Sequence, residues 1–278
     1  MFILPFLSGI MSLLSPFLGM MLVMYFCAKV LGPALVSPQR AMLLFFVMPI
    51  TVLLIDGQRG NTPMIACDAI FGVGLVAYVF LLTLRRNQVL SEALLAGILV
   101  IIAYAMARMY IFGGAMSAAY EEGMSLMQGQ MPKFIDEAYM LQSASLWRMI
   151  MPALWGVGQI FALVLGYYIF HRTIHIPLVP GDIKFTVFFN LLILASLPLY
   201  LFETTKLVFV NTLILLCTVP LIQGFFLAWS FMSRLVSNNI IKSIIMVFVL
   251  IYAFIPLTLI GFADSWMSTN KTRGGITA

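Results

Sequence analysis

Gly113–Trp147 reads GGAMSAAYEEGMSLMQGQMPKFIDEAYMLQSASLW, the one long polar interval in a greasy chain. It carries Glu121, Glu122, Lys133, Asp136 and Glu137, with Gly123, Gly129 and Pro132 as breakers. Within it Tyr120, Met124, Met127, Met131 and Phe134 recur at three- and four-residue steps, so they share one helical face. The pattern predicts one or two short amphipathic helices, broken near Gly129–Pro132 and lying at the lipid surface. A structureless loop of this length inside a compact unit would be unusual. A methionine-rich face packs on neighbouring helices or headgroups more often than it recognises a specific partner.

On both sides lie apolar runs long enough to cross a bilayer. The 278 residues are 63% hydrophobic and 9% charged, whereas soluble domains carry about 25% charged residues. No soluble core hides that much apolar surface, so lipid is the expected solvent. The expected fold is all-α: a polytopic transmembrane bundle of about eight spans with an amphipathic interfacial connector. The expected division is an N-terminal half over 1–112, the connector over 113–147, and a C-terminal half with a polar tail over 148–278.

In chain order, residues 2–31 are apolar but broken by Pro5 and Pro16, and fit either one long kinked helix or two short ones. Ser8, Gly9 and Ser12 form a small-residue face that lets another helix approach closely, from within the chain or from a partner. Further spans are expected at 41–55, 63–84, 89–112, 149–170, 183–202, 207–231 and 240–262. Asp68 falls near a helix start, where a carboxylate is tolerated. Arg108 falls near a span end. Lys29, Arg40, Arg85, Arg86, Arg172, Lys184, Arg234 and Lys242 border alternate loops, which places those loops inside and the connector outside. Lys271 and Arg273, in a tail this scheme puts outside, run against it.

Little here suggests chemistry. Hydrolase, zinc-protease and phosphate-loop motifs are absent, and no enzyme activity or cofactor is expected. Cys27, Cys67 and Cys217 lie far apart in apolar runs, and His171 with His175 lacks a third ligand, so no metal is expected. No basic run with interleaved aromatics points to nucleic acid. Gln159, Asn190, Asn211 and Gln223 sit within spans, where an unpaired amide is costly. They either bond between helices or line a ligand pocket near the midplane.

The run Arg85–Ile102, RRNQVLSEALLAGILVII, resembles the fourth-span region of the YybS-like family of bacterial membrane proteins. The connector, the span from Pro152, Gln223-Gly224 before Arg234, and Leu259–Trp266 with Asp264 fit the same pattern. That resemblance implies a multi-pass protein of the bacterial inner membrane, without an established activity. The family is distantly similar, over about residues 1–171, to the substrate-binding S-components of energy-coupling-factor vitamin transporters. In those, small residues four apart on the first helix meet the energising subunit. Ser8 and Ser12 match the spacing but stand where alanines are usual. The expected function is transporter-like: binding a small solute or lipid and acting with a membrane-protein partner or as a homo-oligomer. The alternative is a non-catalytic assembly or scaffold subunit.

Overall fold

The computed structural model describes residues 3–31, 38–57, 59–87, 89–128, 137–175 and 188–274. Among the described residues there is no strand. Proline and backbone geometry set the helix boundaries. Helix α1 (Ile3–Leu14) stops at Ser15, and α2 (Pro16–Leu31) starts with proline at its first position, where a missing N–H costs nothing. The N-terminal apolar run is therefore two short helices. They pack closely: a Cβ on Gly19 would lie 2.5 Å from the Cα of Ser12.

Helix α3 (Pro38–Asp56) is followed by α4 (Thr62–Cys67), a π-helical segment (Asp68–Leu75) and α5 (Val76–Asn87) in one continuous run. Helices α6 (Leu90–Gln128) and α7 (Glu137–Thr173) are 39 and 37 residues long. At 1.5 Å per residue each is over 50 Å, well beyond a hydrocarbon core of about 30 Å. Then come α8 (Phe188–Ser196), a 3-10 turn (Leu197–Leu201), α9 (Lys206–Leu235), α10 (Asn239–Tyr252) and α11 (Phe254–Gly274).

Four helical runs are long and apolar enough to cross a membrane: Thr62–Asn87, Leu90–Gly123, Met149–Thr173 and Glu203–Leu235. A fifth is added if α10 and α11, bent by 94°, count as one. Helices of this kind fit an integral membrane protein. The expectation of about eight spans counted apolar runs, several of which fold as shorter helices. Among the described residues of 183–202, for example, α8 supplies nine before the 3-10 turn at Leu197-Pro198.

The connector is described in part. Helix α6 continues without a break through Gly113 to Gln128, and Glu137–Trp147 is the first part of α7. Much of the polar interval thus extends the two long helices. Its expected break near Gly129–Pro132 lies outside the described residues, as do Met131, Phe134 and the side chains of Met124 and Met127. Tyr120 is described, half-buried on α6.

The core is gathered between α2, α5, α6, α7 and α9, with Met24, Phe80, Ile98, Leu163, Phe170 and Leu215 fully or almost fully buried. Phe80 meets Phe170 edge-on at 5.3 Å between ring centroids. Helix α11 lies along α9 at a close backbone crossing. A Cβ on Gly224 would strike the carbonyl of Leu257, and one on Gly261 that of Pro220. By contrast, α10 exposes Ile240, Ile244, Val247, Phe248 and Ile251, the surface expected of a helix flank facing lipid.

Candidate functional site

The polar centre of the N-terminal half is a buried ion pair. Asp68 opens the π-helical segment, which interrupts the α-helical ladder one residue after Cys67. Such segments occur often at functional sites. Tyr104 and Arg108 stand four apart on α6, so they project from one face. Arg108 Nε donates to Asp68 Oδ1 at 2.7 Å and Nη2 to Oδ2 at 3.0 Å, a bidentate fork. Tyr104 Oη donates to Asp68 Oδ1 at 2.9 Å. Asp68 is 4% and Arg108 6% exposed.

Aromatic rings close the site. The Arg108 guanidinium lies 4.8 Å from the Trp155 ring centroid, a favourable cation–π placement. Trp155 also meets Tyr104 edge-on, and Phe71 stacks on Tyr104. Gly72 makes room for this arrangement, because a Cβ there would lie 2.7 Å from the indole of Trp155. One guanidinium nitrogen reaches elsewhere: Arg108 Nη1 donates to Met116 Sδ at 3.2 Å.

Met116 is also on the wall of a cavity of about 360 Å³. The cavity lies where α6 and α7 leave their apolar spans, beside the start of α9. Met109, Met149 and Met151 join Met116, with Ser117 and Tyr120 adding hydroxyls. Gly113 is also on the wall, and open space surrounds the position of its missing Cβ. Four thioethers make a soft, adaptable lining. The ion pair is thus one methionine away from a chamber of ligand size.

Of the four mid-span amides, Asn211 sits directly behind this chamber. Pro152, inside α7, has no N–H and crowds the preceding turn. Ala153 N–H donates to Asn211 Oδ1 at 2.9 Å, while Asn211 Nδ2 donates to the carbonyls of Met149 and Leu207. Ala153 and Met149 are the donor and acceptor of one ordinary helical bond, and the carboxamide is spliced into it. Met149 and Leu207 are cavity residues, so Asn211 fixes the wall without being on it.

The other three amides lie elsewhere. Asn190 Nδ2 donates to Ser265 Oγ at 2.6 Å, tying α8 to α11. Gln223 Nε2 donates to Asp264, tying α9 to α11, and its Oε1 is buried with no hydrogen bond. Gln159 is fully buried, and neither its oxygen nor its nitrogen has a hydrogen-bond partner. None of the four is on the wall of the methionine cavity. Ser8, Gly9 and Ser12 are buried within the chain. A Cβ on Gly9 would lie 2.7 Å from the carbonyl of Phe45 in α3, and Ser12 faces Gly19 in α2. Among the described residues no group of acidic, histidine and cysteine side chains has metal-binding geometry.

The ion pair went unseen in the sequence because Asp68 read as a helix-start carboxylate and Arg108 as a span end. In the structure both lie inside membrane-length helices, and α6 runs on well past Arg108. The usable signal was the Tyr104–Arg108 pair on one face of an apolar run. No family model, curated protein or solved structure matches the chain.

Proposed function

We propose that the chain is a multi-pass protein of the bacterial inner membrane, transporter-like in build, that binds a small, weakly polar solute in the methionine cavity. It acts without catalysis, together with a membrane-protein partner or a second copy. The observation that carries this reading is the cavity of about 360 Å³ joined through Met116 to the buried Asp68–Arg108 pair. Ligand pockets fall mostly between about 300 and 1,000 Å³, with apolar walls and few polar groups. Ionisable residues inside membrane helices are costly and commonly mark solute or ion pathways. Two hydroxyls and four thioethers suit an apolar molecule bearing one or two polar groups. The resemblance to the YybS-like family agrees with this architecture and supplies no solute.

A second reading, a scaffold subunit without ligand, is favoured by the interhelical bonds of Asn190, Asn211 and Gln223, which tie different helix pairs together. The two separate on one experiment. The protein is purified gently, and co-purifying small molecules and proteins are identified by mass spectrometry, for the natural chain and for Gly113→Phe. Gly113 is on the cavity wall with free space around its missing Cβ, so a phenyl group there is expected to fit without a clash and to take up cavity volume. Solute binding predicts a small molecule with the natural chain that is lost from a Gly113→Phe protein of unchanged thermal stability. A scaffold predicts no such molecule and a protein partner retained by both.

A further inference from the structure

At the opposite end of α7 and α9 a different site presents itself. Lys242 is in the first turn of α10 and is only 8% exposed. Its Nζ donates to Ser233 Oγ at 3.1 Å and lies 4.7 Å from the Trp229 ring centroid. Among the described residues no carboxylate is within ion-pairing distance of it. A buried ammonium served by a hydroxyl and a ring keeps an unmet demand for negative charge.

The ammonium lines a cavity of about 610 Å³ between α7, α9 and α10, with Tyr168, Phe226, Trp229, Asn239 and Ser243. This opens beside a second cavity of about 250 Å³ that shares Val164, Leu165, Phe225 and Phe226 and has only apolar residues on its wall. The two together form an apolar groove with a cationic end. Their depth is informative. Lys242 follows closely on Leu235, where the spanning run of α9 ends, so it stands at headgroup level. Trp229 and Tyr168 are aromatics of the kind found at membrane interfaces. The N-terminus of α10 adds partial positive charge on the same side.

We infer that this groove binds one anionic phospholipid, its phosphate on Lys242 and an acyl chain along Val164, Leu165 and Phe225 into the apolar cavity. A free inorganic anion would satisfy the ammonium and leave the groove unfilled. A zwitterionic lipid would fill the groove but bring its own cation beside Lys242. Basic pockets between membrane helices commonly take anionic headgroups. The site is separate from the methionine cavity and requires no solute there.

The test is native mass spectrometry of the full chain in mild detergent, titrated with phosphatidylglycerol, with phosphatidylcholine, and with phosphatidylglycerol in the presence of inorganic phosphate. The natural chain is expected to hold phosphatidylglycerol about tenfold more tightly than phosphatidylcholine, the size of one charge-assisted contact. Lys242→Gln is expected to bring the two lipids within about twofold, Lys242→Arg to keep the preference, and Leu165→Trp to weaken both lipids alike. Equal binding of the two lipids by the natural chain overturns the inference. So does a preference that survives in Lys242→Gln, or displacement of the lipid by millimolar phosphate. Leu165→Trp leaves the charge in place, so it tests the groove even if Lys242→Gln fails to fold.

Discussion

At the scale of single residues, Asp68 and Arg108 are each expensive inside a bilayer, by roughly 2.5–3.5 kcal/mol on insertion scales. Their bidentate contact and the hydroxyl of Tyr104 offset that cost only while both are present. Removing one partner from a buried pair costs about 3–5 kcal/mol, whereas removing both is often far milder. Asp68→Asn and Arg108→Met should each therefore lower stability strongly, and the double variant should recover much of the loss. Unfolding in mild detergent measures this as a double-mutant cycle. Simple additivity would mean the two side chains are not coupled. The pair also shows where sequence reading stops at this scale. Its members are 40 positions apart, and no periodicity ties one to the other. What the sequence does show is that Tyr104 and Arg108 share a face. The burial of Asn190, Asn211, Gln159 and Gln223 was legible for a simpler reason: an amide in an apolar run has few places to go.

At the scale of elements, proline decides most departures from the run-counting view, and each has a steric cause. Pro16 starts α2 and so splits the first apolar run. Pro256, near the start of α11, has no N–H and crowds the carbonyl of Tyr252, where α10 ends. The run 240–262 accordingly bends by 94° at Ala253 and does not cross straight. Helices α3, α7 and α9 nevertheless continue through Pro49, Pro152 and Pro220. At Pro152 the carboxamide of Asn211 serves the break, since it bonds both Ala153 N–H and the Met149 carbonyl. Replacing it with Leu leaves buried backbone groups unpaired, at about 1–3 kcal/mol each. Asn211→Leu should thus destabilise markedly in the natural chain. It should cost less in a Pro152→Ala background, where the helix can close its own ladder. Equal cost in both backgrounds, read from thermal unfolding, would show that Asn211 does not serve the proline break. The helical spacing from Tyr120 to Met127 was likewise legible as helix. Its continuity with α6 was not, because the span was expected to end at Phe112 and Gly123 read as a breaker, whereas a helix interior tolerates a glycine at about 1 kcal/mol.

At the scale of the whole molecule, the four long runs fix an alternation. Asn61 precedes the first and Asn87 ends it; Glu122 is at the far end of the second; His175 follows the third; Ser237 follows the fourth. If each crosses once, Asn87 and His175 share one side, and Asn61 and Glu122 the other. Helix α9 runs parallel to α7, with Leu207 and Asn211 beside Met149 and with Phe225 and Trp229 beside Leu165 and Tyr168. The chain therefore returns across between His175 and Glu203, and Ser237 falls on the side of His175. Charge agrees with that grouping. Arg85 and Arg86, Arg172, and Arg234 all lie at the first set of ends, and basic residues favour the cytoplasmic side. At the opposite ends, Glu121 and Glu122 stand on the exposed flank of α6. In a background with Cys27, Cys67 and Cys217 replaced by Ala, single cysteines at Asn87, Ser237, Asn61 and Glu122 can be labelled in intact cells with an impermeant maleimide. Each of the four positions is exposed, so accessibility depends on side and not on burial. Asn61→Cys and Glu122→Cys should react in intact cells, and Asn87→Cys and Ser237→Cys only after lysis. Labelling of Asn87→Cys and Glu122→Cys from the same side would mean that α6 does not cross. The methionine cavity and the Lys242 groove, assigned here to opposite faces, would then have to be placed anew.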